Sequence, residues 1–113
     1  MALEKPDSPD RAGLEADLIE RARGLRPILL KNAAEAERRR RLPDENVRAL
    51  DESGLFRLMT PRRWGGLCAS FRTLVMTAAE LARACPSSGW IQTVVNNSTW
   101  TATLLPDRGQ EEV

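Results

Sequence analysis

The sequence has 113 residues, enough for one domain, and its 42% hydrophobic content can support a core. The 17 Lys and Arg residues nearly balance 16 Asp and Glu residues, and the net charge of +1 argues against a nucleic-acid partner. No stretch is apolar enough for a membrane span or a secretion signal, so we expect no membrane partner and a cytoplasmic location.

The residue types present restrict the chemistry. The sequence contains no His and no Tyr, which removes common general acids and bases and any Ser-His-Asp triad. Cys68 and Cys85 have no further thiol or imidazole near them, a pattern that predicts reduced cysteines and no metal site. We therefore expect no catalytic residue in this chain.

The N-terminal part predicts a leader followed by a long helix. Residues 1–10 are rich in Pro and Asp, which predicts a disordered leader. Apolar residues then recur in steps of three and four, which predicts an amphipathic helix of about 25 residues. Its predicted stripe is Leu14, Leu18, Ala22, Leu25, Leu29, Ala33 and Ala36. Pro27 lies inside this pattern and predicts a kink or a restart.

Four consecutive arginines, residues 38–41, end this predicted helix. Cations at a helix C-terminus interact favourably with the helix dipole, and Glu35 and Glu37 lie just upstream. A solvated helix end is the favoured interpretation. An anion-binding or nucleic-acid-binding patch is the alternative.

The next predicted helix begins at Pro43, where two acidic residues follow in its first turn. Val47 and Leu50 are predicted to face inward. Gly54 suits the left-handed position after the last turn, and Leu55 is predicted to fold back onto Leu50 in a Schellman motif.

A connection and a third helix follow. Residues 55–59 are predicted to be extended, and residues 64–67 (Trp-Gly-Gly-Leu) to form a tight turn anchored by the aromatic ring. Ser70 is predicted to cap the third helix, which Pro86 ends. The predicted inward stripe of this helix is Phe71, Leu74, Val75, Ala78, Leu81, Ala82 and Cys85.

Residues 88–105 are ambiguous between a helix capped by Ser87 or Ser88 and one arm of a hairpin. As a helix, this segment would carry Trp90, Val94, Asn97, Ser98 and Thr101 on one face, opposite Ile91, Val95 and Ala102. Pro106 and Asp107 open another helix, which lacks a C-terminal cap and predicts a truncated domain. The core is predicted to contain Leu18, Leu25, Leu50, Phe56, Leu74, Leu81 and Val95.

Two motifs and one face deserve a functional interpretation. The residues from Cys85 to Ser88 have the form of a monothiol redox site, but the helical pattern before them favours a buried cysteine. Gly65-Gly66 lacks the spacing of a phosphate-binding loop. Trp90 beside Asn97 and Ser98 combines an apolar ring with hydrogen-bonding side chains, a combination typical of a small-molecule pocket wall. A packing role for the tryptophan is the alternative.

Several segments together resemble the N-terminal helical domain of the acyl-CoA dehydrogenase superfamily. They are Arg41-Leu42-Pro43-Asp44-Glu45, Val47-Arg48-Ala49-Leu50, Gly54-Leu55-Phe56, Leu58, Pro61, Trp64-Gly65-Gly66-Leu67, Cys85, Ser87 and Gly89-Trp90. The resemblance implies an all-α bundle of about four helices over residues 11–113, with residues 88–105 helical. It covers the first of the family's three domains, so the middle β domain and the C-terminal helical domain would be absent.

Trp64 and the Ser88-Gly89-Trp90 helix start are most similar to the oxygenase branch. That branch contains two-component monooxygenases that hydroxylate aromatic or amine substrates with O2 and reduced FMN or FAD from a separate flavin reductase. The resemblance implies a substrate-pocket domain with Trp90 as an aromatic wall, and we assign Asn97 and Ser98 to the same substrate-binding site. It places the flavin on other domains, so the fragment alone would be inactive, and implies a homo-oligomer (tetramer) at full length.

One departure and two alternatives qualify this assignment. Phenol-hydroxylating relatives carry a histidine near the position of Ser98, and its role cannot be transferred to a chain without histidine. The alternatives are the N-terminal domain of an acyl-CoA dehydrogenase and a free-standing helical interaction module.

Overall fold

Six α-helices make up most of the computed structural model, which describes residues 11–113. The predicted leader lies outside these residues. The helices are α1 (Arg11–Gly24), α2 (Arg26–Arg39), α3 (Asp44–Glu52), α4 (Phe71–Ala84), α5 (Pro86–Ala102) and α6 (Asp107–Glu112), with a 3-10 turn at Arg62–Trp64. The described residues contain no strand, so the all-α prediction is confirmed. No helix among them has the length and apolarity needed to cross a bilayer.

The long N-terminal helix divides at Leu25. Leu25 is the N-cap of α2, and Pro27 lies in the first turn of α2, where its missing N–H is tolerated. The predicted restart is therefore confirmed. This division and the separate α6 explain why six helices occur where about four were predicted.

The end of α3 is the predicted Schellman motif. Gly54 has φ +83°, the Leu55 N–H donates to the Leu50 carbonyl at 3.2 Å, and the Gly54 N–H donates to Asp51 at 3.1 Å. Val47, however, is 41% exposed, so its predicted inward position is wrong. The buried face of α3 carries Asn46 and Leu50 instead.

The connection between α3 and α4 consists of turns. Residues 55–59 were predicted to be extended, which is wrong: the Arg57 N–H turns back to the Gly54 carbonyl at 3.0 Å. The tight turn at residues 64–67 is confirmed by Gly65, with φ +84°. A Cβ at Gly66 would lie 2.1 Å from the Thr60 carbonyl oxygen, so only glycine fits there.

Helix α4 is capped as predicted, because the Ser70 hydroxyl accepts from the Thr73 N–H at 3.0 Å. Its inward face is rotated from the predicted stripe. Phe71 and Val75 are exposed, whereas Thr77 is buried. Thr77 is tolerated inside because its hydroxyl bonds to carbonyls of its own helix, at 2.9 Å to Thr73 and 3.0 Å to Leu74.

The core lies where α1, α2 and α4 meet the turns after α3. Four predicted core residues, Leu18, Leu50, Leu74 and Leu81, are fully buried, and Leu25 and Phe56 pack against them while partly exposed. Val95 is only half-buried and lies outside this cluster, so its predicted core position is wrong. Helix α5 instead contributes polar residues to the interior.

Candidate functional site

Helix α5 begins directly after α4. Cys85 is buried in an extended conformation between the two helices, and Pro86 is the first residue of α5. The predicted cap at Ser87 or Ser88 is therefore wrong. Ser88 is fully buried, and its hydroxyl accepts a hydrogen bond from the Asn46 amide at 3.3 Å. The helical interpretation of residues 88–105 is confirmed through Ala102.

The inward face of α5 is polar, and Gln92 and Asn96 are both fully buried. The Asn96 amide donates to the Leu55 carbonyl at 2.9 Å and accepts from the Met59 N–H at 3.1 Å. The Gln92 amide donates to the same Leu55 carbonyl at 3.3 Å. Two side chains of α5 thus satisfy the backbone of the irregular segment after α3, a buried position where unpaired polar groups are costly.

The polar inward face of α5 was not predicted from the sequence. Ile91, Val95 and Ala102, predicted opposite Trp90, are only half-buried. Ser88, Gln92 and Asn96 follow one another at steps of four, the spacing of one helical stripe. That run of hydrogen-bonding residues is the signal that predicts a polar interior face.

The outward face of α5 carries the predicted site residues. Trp90 is 68% exposed, and Asn97 and Ser98 are also exposed. Val94 and Thr101 lie on the same face, both exposed. The helix therefore presents Trp90, Asn97 and Ser98 on one face, as predicted, and their contact with a substrate stays a prediction.

An open cleft of about 520 Å³ lies between the C-terminal end of α2 and the first turns of α5. We call it the Trp90 cleft. Its apolar lining includes Trp90, Ile91 and Leu42, and its charged lining consists of Glu37, Arg40 and Arg41.

The arginine run is divided between two environments. Arg38 and Arg39 both pair with Glu35, at 2.8 Å and 2.6 Å. The hydrogen bond from Arg38 lowers the pKa of the Glu35 carboxyl. Arg40 and Arg41, in contrast, border the Trp90 cleft.

A second cleft, of about 250 Å³, lies beside the Trp64 turn and the junction of α5 with α6. Gln110 organises this junction: its amide nitrogen donates to the Thr103 and Leu105 carbonyls at 3.0 Å and 2.8 Å. Its amide oxygen accepts from the Trp64 indole at 3.0 Å and from Arg63. Trp64 is thereby anchored although its side chain is 44% exposed.

Neither of these two clefts would enclose a ligand by itself. Binding sites enclose most of a bound ligand, whereas both clefts are open to solvent and Trp90 is 68% exposed. No cluster of three potential metal ligands occurs among residues 11–113.

Comparisons with known proteins identify relatives of residues 22–113, which match the family described as "Acyl-CoA dehydrogenase, N-terminal domain". The chain is 36% identical over 95 residues to "Flavin-dependent monooxygenase, oxygenase subunit HsaA" of Rhodococcus jostii, covering 84% of this chain and 25% of that protein. It is 40% identical over 89 residues to the protein of the same description from Mycobacterium tuberculosis, covering 79% of this chain and 23% of that protein.

A similar solved structure is "XiaF from Streptomyces sp. in complex with FADH2 and Glycerol". It superimposes with a TM-score of 0.88 at 40% identity, covering 92% of this chain and 26% of that one. The chain thus spans about a quarter of the length of the relatives that it matches.

Proposed function

Because the chain belongs to the acyl-CoA dehydrogenase N-terminal domain family, we propose that it is the substrate-pocket domain of a flavin-dependent monooxygenase. The complete protein would insert one oxygen atom from O2 into an aromatic or amine substrate. The observation that carries this proposal is the outward face of α5, where Trp90 is 68% exposed beside Asn97 and Ser98.

The distribution of polarity on α5 supports the proposal. A surface helix of a globular domain normally turns its apolar face inward, but α5 buries Gln92 and Asn96 and exposes Trp90 and Val94. An exposed aromatic and aliphatic surface indicates contact with a ligand or with another part of a larger protein. This inversion is expected of a helix whose outward face lines a pocket in the complete enzyme.

The dimensions of the face suit a single aromatic ring with a polar substituent. Trp90 and Ser98 are eight positions apart, which corresponds to about 12 Å along a helix axis. A substrate ring packed on the Trp90 indole would place its substituent toward Asn97 or Ser98. Both side chains can donate and accept hydrogen bonds, so they can orient a hydroxyl or an amine.

The relatives support a proposal for the cofactor and partners of the complete protein. One is described as an oxygenase subunit of a flavin-dependent monooxygenase, and the XiaF structure is of a complex with FADH2. We propose that the complete protein uses reduced FMN or FAD, delivered by a separate flavin reductase and held by parts beyond residues 11–113. We further propose a cytoplasmic homo-tetramer.

An oxygenation assay on the complete gene product tests the proposal. The protein is mixed with chemically reduced FMN or FAD, O2 and a panel of phenols and amines, and products are analysed by mass spectrometry. We expect a product that has gained one oxygen atom, labelled when isotopic O2 is supplied. Oxidation of acyl-CoA thioesters without oxygen insertion would establish the dehydrogenase alternative.

The gene sequence beyond Val113 distinguishes the monooxygenase from a third possibility, a free-standing helical interaction module. A stop codon there would favour a free-standing helical interaction module, which would use the exposed apolar face to bind a partner. A continuing reading frame that encodes a β domain would support the monooxygenase.

A further inference from the structure

We propose that the Trp90 cleft selects aromatic substrates that carry an anionic group, and that Arg40 and Arg41 determine this specificity. The inference rests on the proposed function, which it narrows from aromatic substrates in general to aromatic anions. The ring would pack on Trp90, Ile91 and Leu42, and the anionic group would face the two guanidinium groups.

The four arginines of residues 38–41 differ in their ion-pair partners. Glu35 forms ion pairs with Arg38 and Arg39, at 2.8 Å and 2.6 Å. Arg41 contacts Asp44 at 3.6 Å, where both side chains are about four-fifths exposed, at 78% and 82%. Such an exposed pair contributes little and exchanges readily for another anion. Arg40 forms no ion pair within residues 11–113.

The backbone at Arg40 has an unusual conformation for an arginine. It has φ +54°, in the left-handed region, and serves as the C-cap of α2. Glycine or asparagine is preferred at such a position, because a larger side chain adds strain. An arginine therefore occupies the position that glycine would fill most readily, and it borders the cleft.

The charged residues of the Trp90 cleft are complementary to an anion. Two arginines and one carboxylate, Glu37, line it, so the lining carries a net positive charge. Ser87 in the first turn of α5 and the last turn of α2 both border the cleft. The positive end of one helix dipole and the negative end of the other therefore oppose each other there, and the arginines supply the positive charge. An aromatic surface beside guanidinium groups matches a planar ring with a carboxylate, which arginine binds through two parallel hydrogen bonds.

The position of Trp90 reconciles this end of the cleft with the proposed oxygenation site. Arg40 and Arg41 lie toward the N-terminal end of α5, whereas Asn97 and Ser98 lie toward its C-terminal end. A ring on Trp90 would thus direct its anionic group one way and its reacting substituent the other. The substrate class is an aromatic acid with a hydroxyl or amino group at the opposite end of the ring.

Two probes of the same shape test the inference on the full chain. Naphthalene carboxylate and naphthalene carboxamide are titrated while the indole N–H signal of Trp90 is followed by NMR, assigned as the signal missing from Trp90→Phe. We expect the carboxylate to bind about fivefold more tightly than the carboxamide, the scale of two exposed ion pairs. The preference should fall as salt is added.

Two double variants distinguish the effect of the arginines that line the cleft from the effect of the overall positive charge of the run. In the double variant Arg40→Gly, Arg41→Gln we expect the preference to fall below about twofold, without loss of thermal stability, because glycine suits φ +54°. The control Arg38→Gln, Arg39→Gln removes the same charge from the same run and should keep the preference.

Three outcomes would overturn the inference, and they differ in what they imply for the proposed function. Equal affinity for the two probes, with the Trp90 signal responding to both, overturns the anionic specificity and leaves the proposed function standing. No response of the Trp90 signal to either probe overturns the anionic specificity, and the oxygenation assay on the complete gene product then decides the proposed function separately. Arginine-dependent binding of FMN without binding of the naphthalene carboxylate would assign the cleft to a flavin phosphate instead.

Discussion

Gly89 lies against α4 so closely that a Cβ at this position would be 3.0 Å from the Cβ of Ala82 and 3.1 Å from the carbonyl oxygen of Ala78. The neighbouring atoms belong to helix backbone and to a short side chain, so they cannot move aside without shifting α4. Gly89 therefore sets the separation of α4 and α5 next to Trp90.

Gly89→Ala should destabilise the protein by about 1–2 kcal/mol. Overpacking costs about 1–3 kcal/mol, and the better helix propensity of alanine returns up to about 1 kcal/mol. Gly13→Ala is the matched control, since a Cβ at that helical position meets nothing within 4 Å. Urea denaturation of both variants checks the prediction. Equal stability of the two would show that the helices are free to separate.

Asn96 and Asn97 are adjacent on α5 but face opposite environments. Asn96 is fully buried and donates its amide to the Leu55 carbonyl at 2.9 Å, whereas Asn97 is exposed. Asn96→Asp should cost about 3 kcal/mol at neutral pH, because an acceptor-only carboxylate would face a carbonyl without solvent.

Asn97→Asp, the same chemical change one residue later, should alter the free energy of unfolding by less than about 0.5 kcal/mol. Chemical denaturation of both variants gives the comparison. A small effect at Asn96 would indicate that Leu55 and Met59 find other partners.

The sequence predicted the elements that follow local rules. The restart before Pro27, the Schellman motif at Gly54 and the Ser70 cap each depend on one residue type at one backbone position, and each occurs. The resemblance to a known family, rather than local propensity, resolved residues 88–105 as a helix. Local signals suffice where the determinant is local.

The orientation of helix faces was not predictable in the same way. Val47, Phe71 and Val75 were expected inside on hydrophobicity, yet they are exposed while Asn46 and Thr77 are buried. The buried polar residues are stable because partners distant in sequence satisfy them: Asn46 bonds to Ser88, 42 positions away. Such pairings depend on the tertiary arrangement. The spacing of Ser88, Gln92 and Asn96 marks a polar stripe on α5, but it does not show which distant residues the stripe will meet.

Glu80 joins three helices. Its side chain is 7% exposed and lies 3.4 Å from Arg23 of α1, 3.6 Å from Arg26 of α2 and 3.4 Å from Arg83 of α4. Its Oε2 atom is buried with no hydrogen-bond partner within residues 11–113, so the contact with Arg26 is one of charge.

Glu80→Gln should destabilise the protein by about 1–3 kcal/mol. The loss should be smaller than the ~3–5 kcal/mol of a fully buried pair, because the arginines reach solvent. Glu20→Gln removes an exposed partner of Arg23 and should cost less than about 0.5 kcal/mol. Urea denaturation at two salt concentrations would test both values. Equal losses of unfolding free energy in the two variants would contradict the bridging role of Glu80.

Trp90 is the residue on which substrate recognition should depend most. Since its side chain is 68% exposed, Trp90→Ala should cost less than about 1 kcal/mol of stability, well below the ~3–5 kcal/mol of a buried tryptophan. In the complete protein the same change should weaken substrate binding by about 1–3 kcal/mol, the scale of one large apolar contact. Flavin affinity should change little, because residues 11–113 offer only open clefts.

Trp64→Ala provides the contrast for that measurement, because Trp64 is tied by its indole N–H to Gln110 at 3.0 Å. Its loss should lower the melting temperature, since the hydrogen bond that joins the turn to α6 disappears. Melting temperature, flavin affinity and substrate affinity measured on both variants separate a binding residue from a packing residue. A Trp90→Ala protein that melts early but binds substrate normally would remove Trp90 from the site and leave Asn97 and Ser98 without an aromatic neighbour to position the ring.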